Sequence, residues 1–264
     1  MDVSRDIRPS QPVSVPLRLP TLGRDGMLLL LTWAAGGVDA ISYLGLGHVF
    51  TAMMTGNTVL LGLALGQGQV LAALRSILAL IGFAAGVAAG AMIVQRPPRL
   101  AGWPPAVTVA LAIEGALLGI FAVLWHLTGP ERGDAGVNLL ILLTALAMGI
   151  QSAAVQRLGV PGIMTTYITG TLTSLMVDLA IWLRPVEDAR PPAFSPLRPG
   201  APGGPLVPWE RRVGLLAAVF LFYGLGALAG GFLQNRAFSF VSALPFIAVS
   251  LVVANASVRQ RRGD

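Results

Sequence analysis

The sequence predicts an all-α polytopic membrane protein: a helix bundle of two four-segment internal repeats, with about six to eight transmembrane helices. Three observations predict it. Hydrophobic residues fill 55% of the 264 positions and charged residues only 11%, with a mean hydropathy of +0.74. Soluble domains carry about a quarter charged residues, so a chain with half that share cannot coat a globule of its size in water. The apolar residues gather into eight runs near the length that crosses hydrocarbon, about 17–25 residues. Motifs of the first half also recur in the second. A cytosolic enzyme and an intrinsically disordered chain are both excluded.

In chain order, residues 1–26 are mostly polar and proline-bearing, and read as a disordered cytoplasmic tail. A cleaved signal peptide is disfavoured, because the polar part is too long and the apolar run behind it outlasts a signal core. The first membrane repeat occupies 27–127, with apolar stretches at 27–46, 49–66, 70–94 and 104–127. The second occupies 137–256, with stretches at 137–158, 163–183, 212–234 and 238–256. Two of the eight are ambiguous. The stretch 49–66 is short and carries Thr55-Gly56-Asn57 in its middle, and 163–183 is its counterpart; each either spans fully or turns back as a re-entrant helix. The segment 185–210 has eight prolines in 26 residues and is expected to be an extended, disordered linker. A basic tail, 257–264, closes the chain.

All 18 basic residues are arginines, against 12 acids. They sit almost entirely at segment ends, where they report orientation rather than nucleic-acid binding. If all eight stretches span, 14 arginines fall on the side of the termini and four on the other (Arg96, Arg99, Arg157, Arg236). If 49–66 and 163–183 are re-entrant, the division becomes 15 against three. Both place the termini and the linker in the cytoplasm of a cell whose inner membrane holds the protein.

The repeat shows in three alignments. Gly37-Val38-Asp39 matches Gly149-Ile150-Gln151, and Thr51-Ala-Met-Met-Thr55-Gly56 matches Thr165-Thr-Tyr-Ile-Thr169-Gly170, at offsets of 112 and 114. Gly86, Gly90 and Arg96 match Gly226, Gly230 and Arg236 at 140. The step from 114 to 140 equals the 26-residue linker, so removing it leaves one offset for two independent motifs. Many secondary transporters are built from such repeats, with their sites at the repeat interface. Four spans per half would make the repeats parallel; three spans and a re-entrant segment would make them inverted.

Ionisable groups inside apolar stretches cost about 2.5–3.5 kcal/mol at the bilayer centre, which singles out Asp39, Glu114 and Asp178. Gly36, Asp39 and Tyr43 share a helical face at i, i+3 and i+7, an acid beside a phenol. Asp39 is either a functional acid or one end of an interhelical hydrogen bond, and its repeat mate Gln151 keeps the position polar. Thr51 and Thr55, with Asn57 beside them, and Thr165, Thr169 and Thr171 offer hydroxyl stripes. Gly56 and Gly170 let the backbone bend and expose carbonyls. Glu114 is either a coupling carboxylate or the partner of an arginine, and Asp178 lies close enough to the cytoplasmic end to reach water. Gly86-xxx-Gly90 and Gly226-xxx-Gly230 read as packing faces.

The run GGVDAISYLGLGHVFTAMMTGNT at 36–58, with YITGTLT at 167–173, resembles the signature of the YoaK family, bacterial integral membrane proteins of the DUF1275 type. The resemblance covers roughly 27–256 and leaves out the tail and the linker. It implies a permease-like membrane protein and supplies no substrate.

The expected function is a small-solute permease, a secondary transporter of the inner membrane with the bilayer and a small solute or ion as partners. A homo-oligomer is compatible with the sequence; nucleic acid, cofactor and metal are not expected. No Cys and two His, His48 and His126, leave no metal cluster, and Ser42 and His48 lie on different helical faces, so no enzyme is expected. No Lys, and hence no phosphate-binding loop, exists to use ATP. A channel, or a membrane subunit that needs a partner protein, is the alternative, although the chain carries no charge ring or filter motif.

Overall fold

The computed structural model describes residues 21–95, 103–158, 168–182 and 209–262. The expected tail up to residue 20, the linker through 208, and Thr165 lie outside them. The described residues form nine helices and no strand: α1 (Arg24–Gly45), α2 (Met54–Gly66), α3 (Val70–Val94), α4 (Pro105–Thr128), α5 (Asp134–Leu158), α6 (Ile168–Trp182), α7 (Trp209–Arg236), α8 (Phe238–Val241) and α9 (Ala243–Arg262). Pro105 opens α4 where its missing N–H costs nothing. Pro245 explains why the stretch at 238–256 is broken into α8 and α9, because its ring cannot follow an unbroken helical turn. The basic segment expected as a tail from 257 instead continues α9 as helix through Arg262.

Six helices are long and apolar enough to cross a membrane: α1, α3, α4, α5, α7, and α8 with α9. Their ends gather at two faces. At the first, Leu22 exchanges hydrogen bonds of 2.9 and 3.0 Å with Asn255, Arg211 pairs with Asp25 at 2.7 Å, and Arg24 donates to the Leu158 carbonyl. At the second, Arg75 pairs with Asp134 at 2.7 Å, Trp125 donates to the Phe238 carbonyl at 2.8 Å, and Arg132 lies 3.8 Å over the Trp125 ring. Partial burial there pulls the Arg132 guanidinium below the usual arginine pKa. Thus α1, α4 and α7 run from first face to second, and α3, α5 and α9 run back.

This sense of travel decides the two ambiguous stretches. α1 ends and α3 begins at the second face, so α2 dips in from that face and returns to it. α5 ends and α7 begins at the first face, and Arg212 of α7 holds Asp178 near the end of α6 at 3.1 Å. Ile168, at the start of α6, packs deeper, against Leu216 and Val219. α6 therefore dips from the first face. At 13 residues, α2 rises only about 20 Å, short of the roughly 30 Å of hydrocarbon. The chain is a multi-pass membrane protein; among the described residues six helices are long and apolar enough to cross, and two short helices enter from opposite sides. Because the chain has no Cys, single cysteines can be labelled without background. Gly68→Cys in the α2–α3 turn should react with an impermeant thiol reagent from the same side as Glu131→Cys, and from the side opposite Leu22→Cys. An eight-span protein would put positions 68 and 22 on one side.

The tightest crossings pair α1 with α7 and α3 with α5, each through glycines. A Cβ on Gly36 would strike the Tyr223 carbonyl, and one on Gly149 the Phe83 carbonyl. Small residues let backbones meet where apolar lipid supplies no hydrophobic drive between helices. The outer surface stays apolar, with Val59, Val123 and Leu228 more than half exposed to the surrounding lipid.

Candidate functional site

The site is built around the break between α1 and α2. α1 stops where Gly47 (φ +82°) and His48 (φ +63°) turn left-handed, and the N–H groups of Leu46 and His48 donate to the Ser42 and Tyr43 carbonyls at 2.9 and 3.1 Å. The left-handed φ at Gly47 favours glycine, and a side chain there would also push the Arg75 side chain of α3 aside. Residues 46–53 then fold back into the protein alongside α1.

There the backbone meets Asp39, which is 3% exposed. Its Oδ1 accepts from the N–H groups of Thr51 (2.8 Å), Ala52 (2.7 Å) and Met53 (3.4 Å). These amides belong to the loop that leads into α2, Met53 standing immediately before its first residue, so Asp39 fastens that loop to α1. Its Oδ2 accepts from the Tyr223 hydroxyl of α7. Asn57 secures the loop from the other side, accepting from Phe50 N–H at 3.0 Å and donating to the Phe50 carbonyl and to Met54 Sδ at 3.6 Å. The Thr51 hydroxyl reaches Ser42 Oγ at 3.3 Å, and Ser42 in turn bonds back to the Val38 carbonyl at 2.8 Å.

Several sequence-derived pairings come out differently. Tyr43 shares a helical face with Asp39 but does not touch its carboxylate; it stacks on Phe50 with ring centroids 5.0 Å apart, edge-on to His48. The phenol at Asp39 is Tyr223. Thr51 and Thr55 make no stripe, because the helix begins only at Met54: Thr51 is buried in the loop and Thr55 points outward. Gly56 packs under Phe50 and Met53. On α6, Thr169 is exposed, Gly170 half-buried and Thr171 buried; Thr165 lies outside the described residues. Gln151 is fully buried and donates through Nε2 to the Leu31 carbonyl of α1 at 3.2 Å. Glu114 is fully buried on α4, apart from the Asp39 cluster, and among the described residues neither of its oxygens has a hydrogen bond.

Tyr223 is the site residue that the sequence reading passes over, while Ser42, weighed there only against His48, meets Thr51 and its own helix instead. Tyr223 lies three residues before Gly226, on the helix face that packs against α1, and it is one of only three tyrosines. Its counterpart at the 140 offset is Phe83, so an alignment of the halves hides the hydroxyl. Chemically, the cluster is a buried carboxylate saturated by N–H and O–H donors, so in this arrangement it is closed to a cation. It is exposed to ligand only if the loop or α7 moves away. A groove between α4 and α9, lined by Gly119, Val123, His126 and Phe246, is almost wholly apolar and opens on the lipid side.

A family model described as "Protein of unknown function (DUF1275)" matches residues 27–256. The chain is 46% identical over 157 residues to the UPF0700 transmembrane protein YoaK of Bacillus subtilis (strain 168), covering 60% of this chain and 68% of that one. No solved structure matches.

Proposed function

Because the chain belongs to the DUF1275 family, a family of membrane proteins without an assigned solute, we propose on its geometry that it is a small-solute permease of the bacterial inner membrane, working by alternating access. The observation that carries the reading is the pair of short helices, α2 and α6, that dip from opposite faces and start inside the bundle. Broken helices placed this way are how inverted-repeat transporters bring backbone groups to a midplane site. The contacts support an inverted repeat as well. α1 crosses α7 through Gly36 and Gly226 as α5 crosses α3 through Gly149 and Gly86, so each half lends its first helix to the other's third. Six crossings also match the division of 15 arginines against three, which favours the first face as cytoplasmic.

In this reading the Asp39–Tyr223 bond ties the halves together in one state, and Asp39 and Glu114 are the coupling acids. The Thr-Gly elements, Asn57 and Gln151 line the route once the loop lifts. No covalent chemistry on the solute is involved. The test is a solute screen on purified protein in detergent, read as thermal stabilisation. A ligand at about 100 times its Kd raises stability by about 2.7 kcal/mol. A stabilising solute whose effect disappears in Asp39→Asn supports the permease. If no solute or ion shifts the transition, the reading yields to a channel, decided by single-channel currents, or to a subunit that needs a partner.

A further inference from the structure

Glu114 is the intramembrane acid that the Asp39 cluster leaves unused. It is the tenth residue of the 24-residue α4, about 14 Å of helical rise from Pro105 and so near the middle of a roughly 30 Å hydrocarbon layer. It is fully buried, and among the described residues neither carboxyl oxygen has a hydrogen-bond partner. Its own helix surrounds it with Val107, Ala110, Leu111 and Leu118, in one buried cluster with Met148, Val249 and Val252. The next residue, Gly115, faces Val249.

The helices packed on α4 are α3, α5, α8 and α9. Their charged residues are Arg75, Asp134, Arg157, Arg259, Arg261 and Arg262, all in the outer turns; α4 itself adds only His126, in its last turn, and α8 has none. Among the described residues no arginine answers the carboxyl, which speaks against the ion-pair alternative that the sequence left open. A charged carboxylate without partner is prohibitively unstable in such surroundings, so the group must share its charge or lose it. Hard metal cations need about six oxygen ligands or more, and among the described residues no group of three His, Cys, Asp or Glu side chains assembles. A proton is the one cation that a single carboxyl oxygen satisfies.

We propose that Glu114 is a proton-binding site: in this conformation it is the neutral acid, and it releases its proton only when α4 parts from α5 and α9 and admits water. This stands whether or not the protein carries a solute. It also separates the two acids that the permease reading groups together, since Asp39 is held by donors and Glu114 by none.

The experiment is infrared spectroscopy of the whole protein in lipid nanodiscs at neutral pH. The expected result is a protonated-carboxyl carbonyl band that is lost in Glu114→Gln and retained in Asp39→Asn. Carboxyl-labelled glutamate, but not labelled aspartate, should displace the band in the unsubstituted protein, which decides the matter even if Glu114→Gln does not fold. The proposal is overturned if no glutamate band is present in the unsubstituted protein, or if one survives in folded Glu114→Gln. It is overturned equally if sodium, potassium or calcium abolishes the band, which would make the site one for a metal cation.

Discussion

Gly226→Ala is expected to destabilise the protein by about 3 kcal/mol, the upper end for overpacking a core, while Gly224→Ala two residues away stabilises it by about 0.5–1 kcal/mol. The same chemical change has opposite signs because of what the new methyl meets. At 226 it lands on the Trp33 carbonyl of α1 and within 3.1 Å of Gly37 N; at 224 nothing lies within 4 Å. Backbone atoms cannot rotate aside as side chains do, so α1 and α7 must separate, and the Asp39–Tyr223 bond between them is stretched as well. Gly149→Ala, whose methyl meets the Phe83 carbonyl and Val87 N, should behave like Gly226→Ala at the α3–α5 crossing. Reversible denaturation in mixed micelles measures both. Equal stability of Gly226→Ala and Gly224→Ala would sink the close-packed crossing.

Removing the Asp39 carboxylate should have the largest single effect on the site. Asp39→Ala leaves three N–H groups and a hydroxyl without their acceptor. At about 1–3 kcal/mol for each buried donor left unpaired, with part regained from entering water, the expected loss is about 4 kcal/mol. Asp39→Asn keeps an oxygen for the Thr51 and Ala52 amides and should lose about half as much; Tyr223→Phe removes one donor and should lose about 1 kcal/mol. The loop should loosen in the same order. Val49, 1% exposed, becomes a reporter as Val49→Cys in a chain with no other cysteine: shielded when Asp39 is present, reactive with a maleimide in Asp39→Ala. If Asp39→Ala leaves both stability and shielding unchanged, Asp39 does not fasten the loop. An Asp39→Asn variant that stays folded and shielded yet loses its response to a bound solute would instead isolate a coupling role.

Some of the site was legible in the sequence and some was not. Asp39 stood out because a charge in an apolar run is costly wherever it ends up, and Asn57 stood out beside a glycine that interrupts such a run. Thr51 meets Asp39 through its backbone N–H rather than as part of a hydroxyl stripe. The i, i+4 pattern assumes a helix through 51–55, while the backbone of Thr51 to Met53 bends around the carboxylate and α2 begins only at Met54. Tyr43 was paired with Asp39 by helical spacing alone. Spacing says which residues share a face, but Tyr223, 184 positions away, reaches the carboxylate because the glycines of α1 and α7 bring the two helices together.

Composition and patterning along the chain were enough to read a helical membrane protein, the places of its apolar segments, and the few polar groups that must be accounted for inside. These are local matters: in hydrocarbon each segment must satisfy its own backbone and match the apolar thickness, whatever its neighbours do. Only the tertiary structure decided that α2 and α6 turn back rather than cross, since a short apolar helix has the same composition either way and only the positions of its flanking helices distinguish the two. Tertiary structure likewise set the fates of the two acids. Asp39 met four donors from a loop and a distant helix, while Glu114 met none among the described residues, and no pattern along the chain records which helices will close over a carboxyl group.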